Sequence, residues 1–120
     1  MKWLITGGCG FIGTNLIRRL LEDDAQDHSI RVYDNLSAGG RDDLEKIASF
    51  EEVSPDAPGD ISGEGVDLVV GDVRDSDATQ RAAAGADVIV HLAAQAGVPT
   101  SVEDPRYDFE ANALGTFNLL

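Results

Sequence analysis

Four short apolar runs alternate along this chain with stretches in which apolar residues recur at helical spacing. Residues 2–6 (Lys-Trp-Leu-Ile-Thr), 30–33, 67–70 and 87–91 have strand length and are mainly apolar, with their polar residues mostly at the ends, rather than alternating. Such runs read as strands buried on both faces. After the first, Ile12, Leu16 and Leu20 recur every fourth residue, flanked by Ile17 and Leu21, and predict a helix behind a glycine turn. A turn from Asn35 to Gly40 leads to a short helix near 42–48, with Asp42 and Asp43 at its positive N-terminal end. Asp75 is placed to cap a third helix that Gly85 stops. Residues 105–120 read as a fourth, with Phe109, Ala113, Phe117 and Leu120 on roughly one face. Residues 49–66 hold Pro55, Pro58, Gly59, Gly63 and Gly65 among five acids, the pattern of an exposed acidic insertion. The order β-α-β-α-β-α-β-α predicts one α/β domain over 1–120, a doubly wound parallel sheet. Ligands of such sheets lie beyond the carboxyl ends of the strands, so the residues that follow each strand are the candidates for function.

Composition narrows the partners. A chain of 120 residues is one domain at most, and a hydrophobic fraction of 42% is that of a globular protein despite the charge. The formal net charge of -13 argues against nucleic acid and against an anionic membrane surface. No apolar run approaches the ~18 residues of a membrane span, and the start is not a signal peptide, so the cytoplasm is the expected location. A single cysteine, Cys9, excludes an internal disulfide and a cysteine-cluster metal site. The excess of acid, with Lys2 and Lys46 as the only lysines, leaves two readings: adaptation to high salt, or an acidic protein of arginine-preferring composition. The first requires that the melting temperature rise between low and molar salt as self-repulsion is screened; a flat melting temperature counts against it.

The strongest candidate for chemistry is Thr6-Gly7-Gly8-Cys9-Gly10-Phe11-Ile12-Gly13, in which Gly8, Gly10 and Gly13 have G-x-G-x-x-G spacing between a strand and a helix. Glycines there let backbone N–H groups approach a pyrophosphate, and the helix N-terminus adds partial positive charge. Asp34 ends the second strand about 20 residues further on, where a carboxylate hydrogen-bonds an adenosine ribose and repels a 2′-phosphate. Gly71-Asp72-Val73 and His91-Leu92-Ala93-Ala94-Gln95 follow the third and fourth strands. His91 reads as a partly buried strand-end residue rather than an acid–base group. Cys9 reads as a small residue in a tight turn rather than a nucleophile.

Together these segments resemble the extended short-chain dehydrogenase/reductase family, in particular its NAD-dependent epimerases and dehydratases of nucleotide sugars. Thr6, Gly7, Gly10 and Gly13 stand at its T-G-x-x-G-x-x-G. Tyr33-Asp34-Asn35-Leu36-Ser37 is similar to its second-strand motif, Gly71-Asp72-Val73-Arg74-Asp75 to its G-D-[IV]-R-D, and His91-Leu92-Ala93-Ala94 to its H-L-A-A. Ser101 to Pro105, with Asn112-Ala113-Leu114-Gly115-Thr116, is similar to its S-x-x-x-P…N-x-x-G-T. The resemblance spans everything but 49–66. It implies a Rossmann-like domain and NAD as cofactor. Phe11 and Ile12 would then donate backbone N–H groups to the pyrophosphate; Asp34, Asn35 and Ser37 would hold the ribose; Asp72 and Val73 would meet adenine. Leu92, Ala93, Ala94 and Gln95 would line the way to the nicotinamide, and Asn112 would bind nearby or brace its helix. A nucleotide-sugar substrate and a homodimeric parent are implied as well. Residues 93–98 look like uronate epimerases, whereas 100–105 with 108–112 look like 2-epimerases of CDP-dideoxyhexoses, the paratose/tyvelose type, which is the reading followed. Dehydratases and decarboxylases of the family share every motif, and a non-catalytic NAD sensor would also keep the glycine turn.

One departure bears on activity. The family's Tyr-x-x-x-Lys has no counterpart: Ser37 stands four residues after Tyr33, Ala111 four after Tyr107, and no lysine follows Lys46. The sequence also runs out at Phe117-Asn118-Leu119-Leu120 without a helix stop signal. The expectation is an N-terminal portion of a longer enzyme, inactive alone and prone to aggregate through the unpaired edge of its last strand.

Overall fold

The computed structural model of the chain describes residues 1–23 and 26–120. Its centre is a five-stranded parallel sheet: β1 (Lys2–Thr6), β2 (Ser29–Asp34), β3 (Phe50–Val53), β4 (Gly65–Val70) and β5 (Val88–His91), in the order β3-β4-β2-β1-β5. The chain builds outward from β1 through β2, then crosses back to place β5 on the other side. The order therefore reverses between β1 and β5, where Thr6 lies in register with His91. A crevice opens at such a switch point because the connections leave in opposite directions.

Alternation along the strands divides the core. Ile5, Ile30, Val32 and Leu68 point to one face, under α1 (Phe11–Leu21) and α2 (Arg41–Glu45). Leu4, Tyr33 and Val69 point to the other, under α3 (Ser76–Ala83) and the helical end of the chain. Both faces are covered, which is why the strands read as mainly apolar runs without alternation. Asp75 caps α3, its carboxylate accepting from the Ala78 N–H at 3.1 Å, and Gly85 follows at φ +83°. At the start of β1, the Trp3 indole N–H donates to His28 Nδ1 at 3.1 Å, the two rings meeting edge-on.

Three sequence expectations are corrected. Residues 49–66 are not wholly an exposed insertion. Phe50–Val53 pairs with β4 at the sheet edge, and Ile61 is buried in the second core, its N–H bonded to Ala84 O. The buried guanidinium of Arg31 on β2 holds this segment down, donating to Pro58 O, Gly59 O and Ala82 O as well as to Asp67. Second, residues 105–120 are interrupted: α5 (Pro105–Phe109) passes through a π-helical turn at Glu110–Leu114 into α6 (Gly115–Leu119). The apolar stripe expected there faces outward, with Phe109 and Phe117 exposed. Ala111, Gly115 and Leu119 face inward instead. A separate short helix, α4 (Val98–Glu103), precedes it. Third, Ile12 is exposed, so the buried face of α1 is Gly13, Leu16, Ile17 and Leu20.

Candidate functional site

The glycine turn connects β1 to α1. Gly7 has φ +67°, a conformation open mainly to glycine, and a Cβ there would lie 2.8 Å from Ala93 N. Gly13 packs the first turn of α1 onto the loop: a Cβ would meet Gly8 Cα at 2.6 Å and Gly7 O at 2.7 Å. The turn is closed by Gly10 N–H on Gly7 O and by Thr14 N–H on Gly10 O. Phe11, Ile12 and Gly13 precede any intrahelical acceptor, the helix has no side-chain cap, and no acid stands in its first turn. Their N–H groups and the positive end of the helix are thus left for an anion.

Asp34 ends β2 beside this turn. Its carboxylate is 8% exposed and accepts the Cys9 N–H on Oδ2 at 2.9 Å and the Leu36 N–H on Oδ1 at 2.8 Å. One side chain therefore ties the glycine turn to the loop after β2. Asn35 repeats the device, its Oδ1 accepting from Ser37 N–H at 3.0 Å, and between them Leu36 takes φ +61°. These bonds hold Asn35 and Ser37 on the rim of one groove with Gly7, Gly10 and Asp34. Cys9 is buried under the turn, and burial followed by the negative charge of Asp34 and Asp43 pushes its thiol up to about 12. Thiolate at pH 8 then amounts to ~0.01%. Alkylation of Cys9 in the native protein should be limited by unfolding; rapid labelling of folded protein would contradict this.

The far wall comes from the turn after β4. The Tyr33 hydroxyl donates to Asp72 O at 2.9 Å, and its ring fills the space beside Gly71. Val73 lies against Gly115, and Asn118 donates to Val73 O at 2.8 Å, so the last helix pins this turn. Asp72 Oδ1 and Oδ2 both accept from Arg74 Nε, and Nη2 reaches Oδ2 at 2.6 Å. The arginine holds the carboxyl below its ordinary range. The same guanidinium lies over the Tyr107 ring, 4.7 Å from its centre.

The loop after β5 closes the groove. Thr6 Oγ1 accepts from Leu92 N–H at 3.0 Å and Ala93 N–H at 3.1 Å. Asn112 clamps Gln95, accepting its N–H at 2.7 Å and donating to its carbonyl at 3.0 Å, so it braces the loop. Leu92, Ala93 and Ala94 face the groove with Asp72 and Val73. Four candidates lie off it: Gly13 is buried beneath the turn, Phe11 lines a neighbouring hollow, and Ile12 and Gln95 are outside both. Ala38, Gly39, Tyr107 and Ala111 also line the groove, although no local pattern marks them; the N-x-x-G-T segment is the one sign that this helix approaches it.

The arrangement matches known proteins along its whole length. Residues 3–120 fit the family described as NAD dependent epimerase/dehydratase family. This chain belongs to that family. It is 37% identical to the CDP-paratose 2-epimerase of Salmonella typhi, over all of this chain and 32% of that protein. It is 32% identical to a dTDP-glucose 4,6-dehydratase of Mycobacterium tuberculosis, over all of this chain and 32% of that protein. Among solved structures, the Thermus thermophilus UDP-glucose 4-epimerase in complex with NAD superposes with a TM-score of 0.72 at 36% identity, covering 99% of this chain and 32% of that one. The chain thus spans about a third of the length of these relatives. Among its described residues no helix is long and apolar enough to cross a membrane, and no cluster of ligating side chains could hold a metal ion.

Proposed function

We propose that this chain is the NAD-binding part of a nucleotide-sugar epimerase that works by transient hydride abstraction, closest in type to the 2-epimerases of CDP-linked dideoxyhexoses. The observation that carries the reading is one groove at the sheet's switch point, in which a buried carboxylate stands beside an uncapped helix N-terminus. The residues fit a dinucleotide. The cradle at Gly7 and Gly13 has no room for a Cβ, so backbone alone faces the space where a pyrophosphate would lie. The N–H groups of Phe11 and Ile12 are left for its oxygens. Asp34, with Asn35 and Ser37 beside it, offers acceptors to ribose hydroxyls. Asp72 and Val73 bound the adenine end, and Leu92, Ala93 and Ala94 the nicotinamide end, on the loop that Gln95 anchors through Asn112.

NAD, when bound, supplies a hydride acceptor that returns the hydride and is regenerated in each turnover. The residues of this chain bind and orient it; they do not move the substrate's proton. With no Tyr-x-x-x-Lys among these 120 residues, that task falls to other parts of a longer enzyme, which would also bind the nucleotide sugar and form the homodimer. Similarity to a dTDP-glucose dehydratase favours, as a second reading, dehydration by the same cofactor site.

Calorimetric titration tests the reading. NAD should bind one per chain, and NADP at least about tenfold more weakly, because the carboxylate of Asp34 opposes a 2′-phosphate. Absence of NAD binding at millimolar concentration, or a preference for NADP, would sink it.

A further inference from the structure

A chain of hydrogen bonds runs from the glycine turn to the last helix, and each donor in it can be assigned. Thr6 Oγ1 is fully buried and accepts from two N–H groups, those of Leu92 and Ala93, which occupy both its lone pairs; the Leu92 N–H is shared with the backbone carbonyl of Thr6 at 3.1 Å, whereas Ala93 N–H goes to the hydroxyl. Among the described residues its own proton has one acceptor in reach, His91 Nδ1 at 2.6 Å. Nδ1 is therefore bare and the imidazole carries its hydrogen on Nε2. That hydrogen points to Thr116 Oγ1 at 3.1 Å, and the Thr116 hydroxyl donates to Asn112 O at 2.6 Å. Asn112 in turn clamps Gln95. The circuit joins the end of β1, the end of β5, the loop 92–95 and the π-helical turn.

We infer that His91, fixed as the neutral Nε2–H tautomer, is a positioning residue for the nicotinamide-side wall of the groove: it orients the Thr6 hydroxyl so that the two lone pairs hold Leu92 and Ala93. This rests on the NAD-binding reading for its consequence, but not for its geometry. A protonated His91 would turn an N–H towards an oxygen whose lone pairs are already used, so one must let go: Leu92 can fall back on the Thr6 carbonyl, and Ala93 is the amide left without a partner. The groups facing the ring are the hydroxyls of Thr6 from β1 and Thr116 from α6. Burial is the one cause of its lowered pKa, with no carboxylate or guanidinium contributing. The sign follows: the neutral ring's contribution is complete above the ordinary histidine value of about 6.5 and is lost as pH falls through the lowered value.

Nitrogen-15 NMR of the imidazole decides the first part. At pH 8 His91 should show a protonated Nε2 and a bare Nδ1; the opposite tautomer, or a mixture, overturns the inference. Amide exchange at Ala93 decides the second, with Leu92, which keeps its bond to the Thr6 carbonyl, as the internal control. It should accelerate about tenfold in His91→Leu, the loss of roughly one hydrogen bond, while α3 stays protected. Exchange should return towards wild type in His91→Asn, whose carbonyl can still accept from Thr6. Equal exchange in both variants overturns the role. If His91→Leu does not fold, the wild type still answers: Ala93 should lose protection on the titration curve of His91, and independent curves refute the coupling. NAD affinity, measured on the same proteins, should fall with loop protection. A wild type that binds no NAD refutes the function proposed above and leaves the tautomer and exchange results to stand or fall alone.

Discussion

Replacing Arg31 by methionine is expected to lower the stability of the fold by about 3 kcal/mol, the low end of the range for breaking a buried ion pair. The guanidinium is 1% exposed and donates five hydrogen bonds: two to Asp67, at 2.9 and 3.0 Å, and one each to Pro58 O, Gly59 O and Ala82 O. Methionine would fill the space of the stem and leave Asp67 and three carbonyls without their donor. Asp67 is 23% exposed and can recover some water, which is why the low end applies. The loss should appear as a lower urea midpoint. Changing Asp67 to leucine in the same chain should recover part of it, because the stranded charge goes too. A loss below about 1 kcal/mol would mean that water already satisfies this cluster.

Alanine at Gly7 should be comparably damaging, and more so for ligand than for fold. Two costs add. A residue with a Cβ at φ +67° is strained by about 1 kcal/mol. The Cβ would also stand 2.8 Å from Ala93 N and 2.9 Å from Leu92 C, both backbone, so the loop after β5 must move away; overpacking of this kind costs about 1–3 kcal/mol. Because that loop is a wall of the groove, NAD affinity should fall about 100-fold, equivalent to ~2.7 kcal/mol. Gly10→Ala is the comparison. Its Cβ would have Gly7 O at 3.3 Å as its one close neighbour and no positive φ, so it should keep stability near wild type while crowding the same groove. If Gly7→Ala binds NAD as the parent does, the cradle has been misplaced.

Local pattern reached the parts of this molecule that local physics decides. Strand runs, the cap at Asp75 and the glycine turn each rest on a few neighbouring residues, and each stands where the pattern put it. What it missed depends on partners distant in sequence. In β3, Phe50 and Val53 point to opposite faces, with Glu51 and Glu52 between them exposed; no alternation results, and only β4 shows that this is a strand. Ile61 looked like one apolar residue in an acidic loop until Arg31 and Ala84 held it down. The outward turn of Phe109 and Phe117 follows from the approach of Gly115 to Val73, where a small residue outcompetes a large one for the inner face. At the site, the residues after each strand were legible from topology alone. The work of Thr6, Asn112 and Thr116 was not, because hydroxyl and amide side chains declare their partners only in three dimensions.

Trp3 is the only tryptophan, and it sits at the opening of β1 against His28, while the groove lies past the other end of the same strand, roughly 13 Å away at the rise of an extended chain. Its ultraviolet emission will therefore follow the collapse of the sheet's lower end and stay largely blind to what enters the upper one. A titration with oxidised NAD, which has no absorption band over the indole emission, would return a flat line at this residue for a protein that binds well, whereas a denaturation curve read there would be faithful.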